Sequence, residues 1–258
     1  MKPVDYDGRQ HTVYATGRAL PGETTRTWAE AFSARAPAQR PLTVLDLGSG
    51  TGRFTPLLAD TFGGPVYGVE PSSGMREQAA AHPAVRYLQG RGETVPLPDS
   101  TCDLALLFLS LHHFTDPPAA AAELRRVLRP GGRVLIRSTF SDRMPDLLWH
   151  RYFPSARGIE ERTFPSLPAT LDLFAAAGLE FVALDRIREL SAPSLAAYAE
   201  RLRLRAISTF EHLSEAEIEQ GLAALATDAA AEQVPHPVYL DSDLLTLALR
   251  RAEASCAG

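Results

Sequence analysis

The chain has 258 residues, 45% hydrophobic and 22% charged, which excludes a disordered tail or a fibrous repeat and suits one elaborated α/β domain. Its 26 basic and 31 acidic residues give a formal net charge of -5, and phosphate neutralisation needs clustered cations on a larger scale than this chain offers, so nucleic acid is not an expected partner. Cys102 and Cys256 form neither a disulfide framework nor a metal spacing, and Cys102, opening an apolar run, reads as a core residue. The opening residues lack the charged-then-apolar order of a signal peptide, and the longest apolar run, Leu104 to Leu109, is too short to cross a bilayer. The expectation is a soluble cytoplasmic protein without a membrane partner.

Short strands alternate with helices through the first half, the pattern of a parallel sheet covered on both faces. Leu42–Leu47 is a predicted strand that runs into a glycine cluster, with a helix from about Arg53 to Phe62. Strands follow at Val66–Glu70 and Val85–Gln89, and between them Pro71-Ser72-Ser73 opens a helix with hydroxyls available as caps. Cys102–Leu109 is apolar almost throughout, as a central parallel strand should be. Asp116-Pro117-Pro118 reads as a helix N-terminus, the helix running to Leu128, with Arg129-Pro130-Gly131-Gly132 stopping it before a strand at Arg133–Ser138. Residues 141–165 carry aromatics and prolines without a clean period. A helix at Ala169–Ala177, a strand at Leu179–Leu190 and helices near Ser194–Phe210 and Ser214–Glu232 complete the pass. A last strand is expected between Val238 and Leu247, although Leu244–Leu249 is equally compatible with a helix. Arg201, Arg203 and Arg205 alternate along the first of those two helices and read as a solvated face.

The informative string is Asp46-Leu47-Gly48-Ser49-Gly50-Thr51-Gly52, an acidic residue at a strand end followed by three glycines in the turn. Glycine permits positive φ and close approach of a ligand to the backbone. Ligands of open α/β sheets bind beyond the carboxyl ends of the strands, where Glu70 ends the second strand and can accept hydrogen bonds from both hydroxyls of an adenosine ribose. The dinucleotide fingerprint G-x-G-x-x-G requires a third glycine where Arg53 stands, which counts against a nicotinamide oxidoreductase.

With three further segments in order, the chain resembles the class I S-adenosylmethionine-dependent methyltransferases, in particular the small-molecule branch known as methyltransferase type 11. Those segments are Val69-Glu70-Pro71-Ser72 with Met75; Gly90 to Pro98 leading to Asp103; and Leu124 to Gly132. The resemblance covers about residues 40–138. It implies a Rossmann-like seven-stranded sheet with helices on both faces, its last strand inserted antiparallel, and a helical substrate cap. It also implies S-adenosyl-L-methionine as methyl donor. The chain then divides into an N-terminal arm and helix (1–38), a cofactor-binding core (40–140) and cap insertions (141–165 and 191–236) of one domain.

Site roles carried over by the resemblance place Gly48, Ser49 and Gly50 against the methionine and ribose. They place Asp46 at the methionine ammonium, directly or through water, Glu70 at the ribose hydroxyls, and Pro71 and Met75 beside the adenine. Arg91 stands where many relatives have an adenine-binding aspartate, which shifts that role to the Gly92 backbone and Glu93. Leu109 and Ser110 pass close to the methionine part. Tyr14 and Arg18 either fold over the cofactor, with Arg18 on its carboxylate, or belong to a surface arm. His112 and His113, at the mouth of the expected pocket, supply a general base or order the substrate or cofactor. No cysteine or carboxylate cluster accompanies them, so no metal is expected. Trp149, Arg151, Tyr152 and Phe153 form either the substrate wall or a cap of core aromatics.

The resulting expectation is an enzyme of secondary metabolism, monomer or homodimer. It transfers the methyl group to an O, N or C nucleophile of a small molecule such as a natural product or quinone-like compound. The alternative is a cofactor-binding accessory protein or a non-methylating enzyme on the same fold.

Overall fold

The computed structural model describes residues 20–250. Tyr14, Arg18 and Cys256 lie outside the described residues. Helix α1 (Gly22–Arg35) precedes β1 (Val44–Leu47), α2 (Thr55–Phe62), β2 (Val66–Glu70), α3 (Ser73–Glu77), β3 (Val85–Gln89) and β4 (Cys102–Phe108). Then come α4 (Pro117–Val127), β5 (Leu128–Ser138), α5 (Pro154–Thr163), α6 (Leu167–Ala176), β6 (Leu179–Ala192), α7 (Leu195–Arg203), α8 (Glu215–Ala231) and β7 (Val238–Leu249).

The strands form one seven-stranded sheet in the order β3-β2-β1-β4-β5-β7-β6. β1 to β5 are parallel to one another, and β7 enters antiparallel between β5 and β6. The ambiguity over Leu244–Leu249 is thereby resolved as strand. Ladders on both sides satisfy its backbone, and residues from Ser242 to Leu247 are buried on both faces, which removes the alternation that marks a half-exposed strand.

Local chemistry starts the helices where the sequence pattern places them. Ser72 Oγ accepts from the Met75 N–H at 3.1 Å, and Asp116 Oδ1 accepts from the Ala119 N–H at 3.1 Å. One apolar cluster joins Leu45, Leu107, Leu124 and Ile136 on one face of the sheet, and another joins Trp28, Phe32, Leu58 and Leu104 on the other. Cys102 lies within the first cluster, and burial pushes its thiol up to about 12.

Three expectations are corrected. Residues 154–163, read as aperiodic, form α5, with Pro154 in its first turn. α7 ends at Arg203, well before Phe210, with Arg205 in the left-handed region at φ 49°. The backbone of Leu128–Gly132 runs into β5 as an irregularity rather than lying outside it, the register jumping from Cys102↔Leu128 to Leu104↔Arg133. A third apolar cluster, built from Trp149, Phe153, Tyr198, Phe210 and Leu225, lies outside the sheet and gives α5, α7 and α8 a core of their own.

Candidate active site

The turn after β1 holds Gly48, Gly50 and Gly52 at φ 76°, 56° and 71°, a region that side-chain-bearing residues rarely enter. A Cβ on Gly48 would stand 2.5 Å from the Cβ of Ser110. Ser110 Oγ donates to the Leu47 carbonyl at 2.7 Å, so the tip of β4 is tied to this turn. Glu70, 7% exposed, accepts from the Gly50 N–H at 3.0 Å through one oxygen and from the Ser72 N–H at 2.9 Å through the other. A carboxylate has further acceptor positions, and Glu70 lines a cavity of about 130 Å³ along the strand tips. Gly48, Gly50, Pro71, Met75, Leu109 and Ser110 share its wall, as do Arg91, Gly92, Glu93 and His113.

Gly92 lies against Phe114, where a Cβ would come within 2.9 Å of the ring. Glu93 Oε1 accepts from the Thr115 N–H at 2.7 Å, the Thr115 hydroxyl at 2.9 Å and the Asp116 N–H at 3.0 Å. Burial acts to raise its pKa, but these donors together hold it below the usual carboxylate range. Glu93 therefore pins its own loop to the start of α4.

Asp46 and Ser49 sit behind the turn and do not line the cavity. Asp46 accepts from the Thr55 hydroxyl at 2.6 Å. Burial pushes its carboxyl up to about 6, with the Thr55 hydrogen bond opposing and the charge of Glu70 adding to the rise. Ser49 was expected against the cofactor; its hydroxyl instead packs over Gly68, where a Cβ would approach it to 3.0 Å. Its backbone N–H is bonded to the Val69 carbonyl at 3.2 Å.

A second cavity of about 130 Å³ shares Leu109 and His113 with the first. Leu109 has φ 56°, a strained conformation for a residue other than glycine, and its N–H donates to the Arg137 carbonyl at 2.9 Å. Burial pushes the His113 ring down to about 4, so it is neutral at physiological pH. His112 lines only the second cavity, its ring 3.9 Å from that of His113 and 4.4 Å from Phe164 by centroids.

Of the expected substrate wall, Trp149 lines the second cavity and the other three do not. Phe153 is fully buried in the third cluster, Tyr152 donates its hydroxyl to Asp228 at 2.8 Å, and Arg151 projects into solvent. The 3₁₀ turn at Leu148–Arg151 spreads consecutive side chains around its axis, so they cannot all face one way.

Motif reading missed four charged residues of this wall: Arg137, Glu160, Arg201 and Asp241. Arg137 donates to Glu189 at 2.7 Å and to Ser242 at 2.8 Å, and Glu189 also accepts from Ser242 at 2.6 Å and from Trp28 Nε1 at 2.7 Å. An arginine inside the apolar run Val134-Leu135-Ile136 was a readable signal for such a pair; nothing in the aperiodic stretch around Glu160 was. Arg201 leaves the expected solvated face and reaches the carbonyl and hydroxyl of Ser191, whereas Arg205 pairs with Glu215 at 2.8 Å and Arg203 stays exposed. Among the described residues no group of His, Cys, Asp and Glu is gathered to hold a metal ion, and no helix is long and apolar enough to cross a membrane.

Residues 45–136 match the family model described as a methyltransferase domain. This segment is a class I methyltransferase domain. It contains Glu70, the glycine turn and both histidines, while α5, α7 and α8 lie outside it. The chain is 35% identical over 157 residues to a malonyl-[acyl-carrier protein] O-methyltransferase of Enterobacter lignolyticus, a span of 57% of this chain and 59% of that protein. Among solved structures, a protein from an antibiotic biosynthesis pathway of Anabaena variabilis superposes with TM-score 0.68 at 24% identity, over 86% of this chain and 98% of that one. The [4+2]-cyclase SpnF superposes with TM-score 0.62 at 20% identity, over 92% of this chain and 85% of that one. At these identities the superpositions establish the fold that surrounds the methyltransferase domain.

Proposed function

We propose that the chain is an S-adenosylmethionine-dependent methyltransferase that methylates a small molecule held between the strand tips and α5, α7 and α8. The observation that carries this reading is the meeting of two cavities at Leu109 and His113: one runs along the glycine turn and Glu70, the other lies under the cap.

The residues of the first cavity fit the cofactor. Glu70 is fixed by the Gly50 and Ser72 N–H groups and faces the cavity, where its carboxylate can accept from ribose hydroxyls. Gly48 and Gly92 keep the wall thin where any side chain would clash, and Pro71 and Met75 offer apolar surface for the adenine. The Gly92 backbone and Glu93 lie on the same wall, with Arg91 beside them. Asp46, one layer back, reaches the methionine ammonium through water. When bound, the cofactor supplies an electrophilic methyl on a sulfonium, which an acceptor lone pair takes as the sulfur–carbon pair returns to sulfur.

The protein's own part is to hold the nucleophile in line and close to the methyl, and to exclude water. His113, neutral and on both walls, accepts a hydrogen bond from the acceptor and orients its lone pair. The His112 ring, itself packed on Phe164, lies against that ring and helps to hold it. Residues 141–165 and 191–236 serve as the cap, with Trp149 contributing acceptor wall.

Release of S-adenosylhomocysteine in the presence of acceptors tests the reading. His113→Ala is expected to lower turnover about a hundredfold while leaving the cofactor dissociation constant nearly unchanged. An equal loss in both would move His113 to the cofactor side. A second reading, a non-methylating enzyme on the same fold, is prompted by the superposition with a cyclase. Tight cofactor binding with no S-adenosylhomocysteine formed from any acceptor would favour it.

A further inference from the structure

Glu160 projects from α5 into the wall of the second cavity, buried at 5% exposure. One of its oxygens lies 2.7 Å from His150 Nε2, and the other accepts from the Thr209 hydroxyl at 3.1 Å. The Nδ1 of His150 is buried and has no hydrogen-bond partner among the described residues, which places the ring hydrogen on Nε2, donated to Glu160. A carboxylate has about four acceptor positions, and the described residues fill two. Among the described residues no arginine or lysine forms an ion pair with Glu160. Its neighbours on the wall are Trp149, Tyr198, whose hydroxyl feels the charges of both Arg201 and Glu160, and the Ala206–Thr209 loop. Asp241 adds a second carboxylate to the same cavity.

A buried carboxylate facing a ligand cavity strongly disfavours any ligand that strips its water without replacing the lost hydrogen bonds. We propose that Glu160 is the specificity-determining group of this cavity, and that the acceptor bears an N–H or O–H donor, as in an amine, alcohol or phenol, which Glu160 receives. His150 and Thr209 are positioning residues that fix the carboxylate. Carboxylate and thiolate acceptors are excluded by the same group, because they bring negative charge without a donor. The inference rests on the second cavity being the acceptor site of the methyl transfer proposed above.

A purely structural Glu160, tying α5 to the Ser208–His212 turn, would need only hydrogen-bonding capacity, which glutamine largely retains. The test compares the wild type with Glu160→Gln and Glu160→Asp. S-adenosylhomocysteine release is measured over a panel of small phenols, alcohols and amines beside carboxylates and thiolates. Cofactor affinity is followed by calorimetry and stability by melting temperature. The expected result is turnover confined to the donor-bearing acceptors. Glu160→Gln should raise KM about tenfold to a hundredfold with kcat and cofactor affinity little changed, and Glu160→Asp should recover part of the loss.

An unchanged KM in an active Glu160→Gln enzyme overturns the inference and leaves the methyltransferase reading standing. So does wild-type turnover of carboxylates or thiolates alone, a result that holds even where the variants fail to fold. Cofactor binding without turnover of any panel member counts against the methyltransferase reading and takes the inference with it.

Discussion

The two cavities that meet at Leu109 and His113 are built from different material. The cavity along β1, β2 and β4 has Gly48, Gly50, Gly90 and Gly92 in its wall, and its key carboxylate, Glu70, is fixed by the N–H groups of Gly50 and Ser72 within a short stretch of chain. The second cavity is walled by side chains from β5, β6, β7, α5 and α7. Its polar groups are fixed by long-range pairs: Arg137 with Glu189 and Ser242, Glu160 with His150 and Thr209. Backbone groups are the same in every protein and suit a constant ligand, whereas side chains on added elements can be exchanged without disturbing the sheet. The family match follows that division, ending at residue 136, before the first cap element.

That division can be broken most forcefully in the cap. Phe153→Ala removes a fully buried ring that packs on Phe210 at 5.2 Å between centroids and on Gly221. A loss of about 3–5 kcal/mol in stability is expected by chemical denaturation, with cofactor affinity in the folded protein unchanged. A parallel fall in cofactor affinity would mean that the two halves are not separable.

Glu70→Ala probes the other half. Cofactor binding should weaken by about 1–3 kcal/mol in calorimetric titration, because a charge-assisted acceptor is lost and two backbone N–H groups are left without it. Wild-type affinity would remove Glu70 from the ribose.

The smallest effect sharpens the boundary behind the turn. The folded-state pKa of Asp46 is raised from 3.8 to about 6, chiefly by burial. Its contribution to stability is therefore fully present below 3.8 and is lost as pH rises through about 6. Asp46→Asn should gain on the wild type in melting temperature as pH increases over that window. Ammonium binding favours the ionised carboxylate, so wild-type cofactor affinity should rise about tenfold through the same window and the variant should flatten it. A flat wild-type profile would remove Asp46 from the ammonium.

Elements signalled by local chemistry were legible before any coordinates. The Ser72 and Asp116 caps, the apolar run of β4 and the glycine turn lie where the residue pattern puts them. Elements whose signal is spread over distant partners were not. α5 buries Ala156, Ile159 and Glu160, a helical spacing that a small and a charged side chain conceal in the sequence. Tyr152 and Phe153 looked like substrate wall because aromatic character alone does not say which way a ring points. Arg201 looked solvated because alternation along a helix does not reveal the neighbouring Ser191 of β6.

By itself the sequence determined the frame of the first cavity: strand, glycine turn, helix and the acidic tip of β2. Each depends on conformational preferences and hydrogen bonds within a few residues of chain. The tertiary structure alone decided which buried charges share the second cavity, since the pairing of Arg137 with Glu189 and of Glu160 with Thr209 spans about fifty residues each. A charge can leave water only where the fold has brought it a partner.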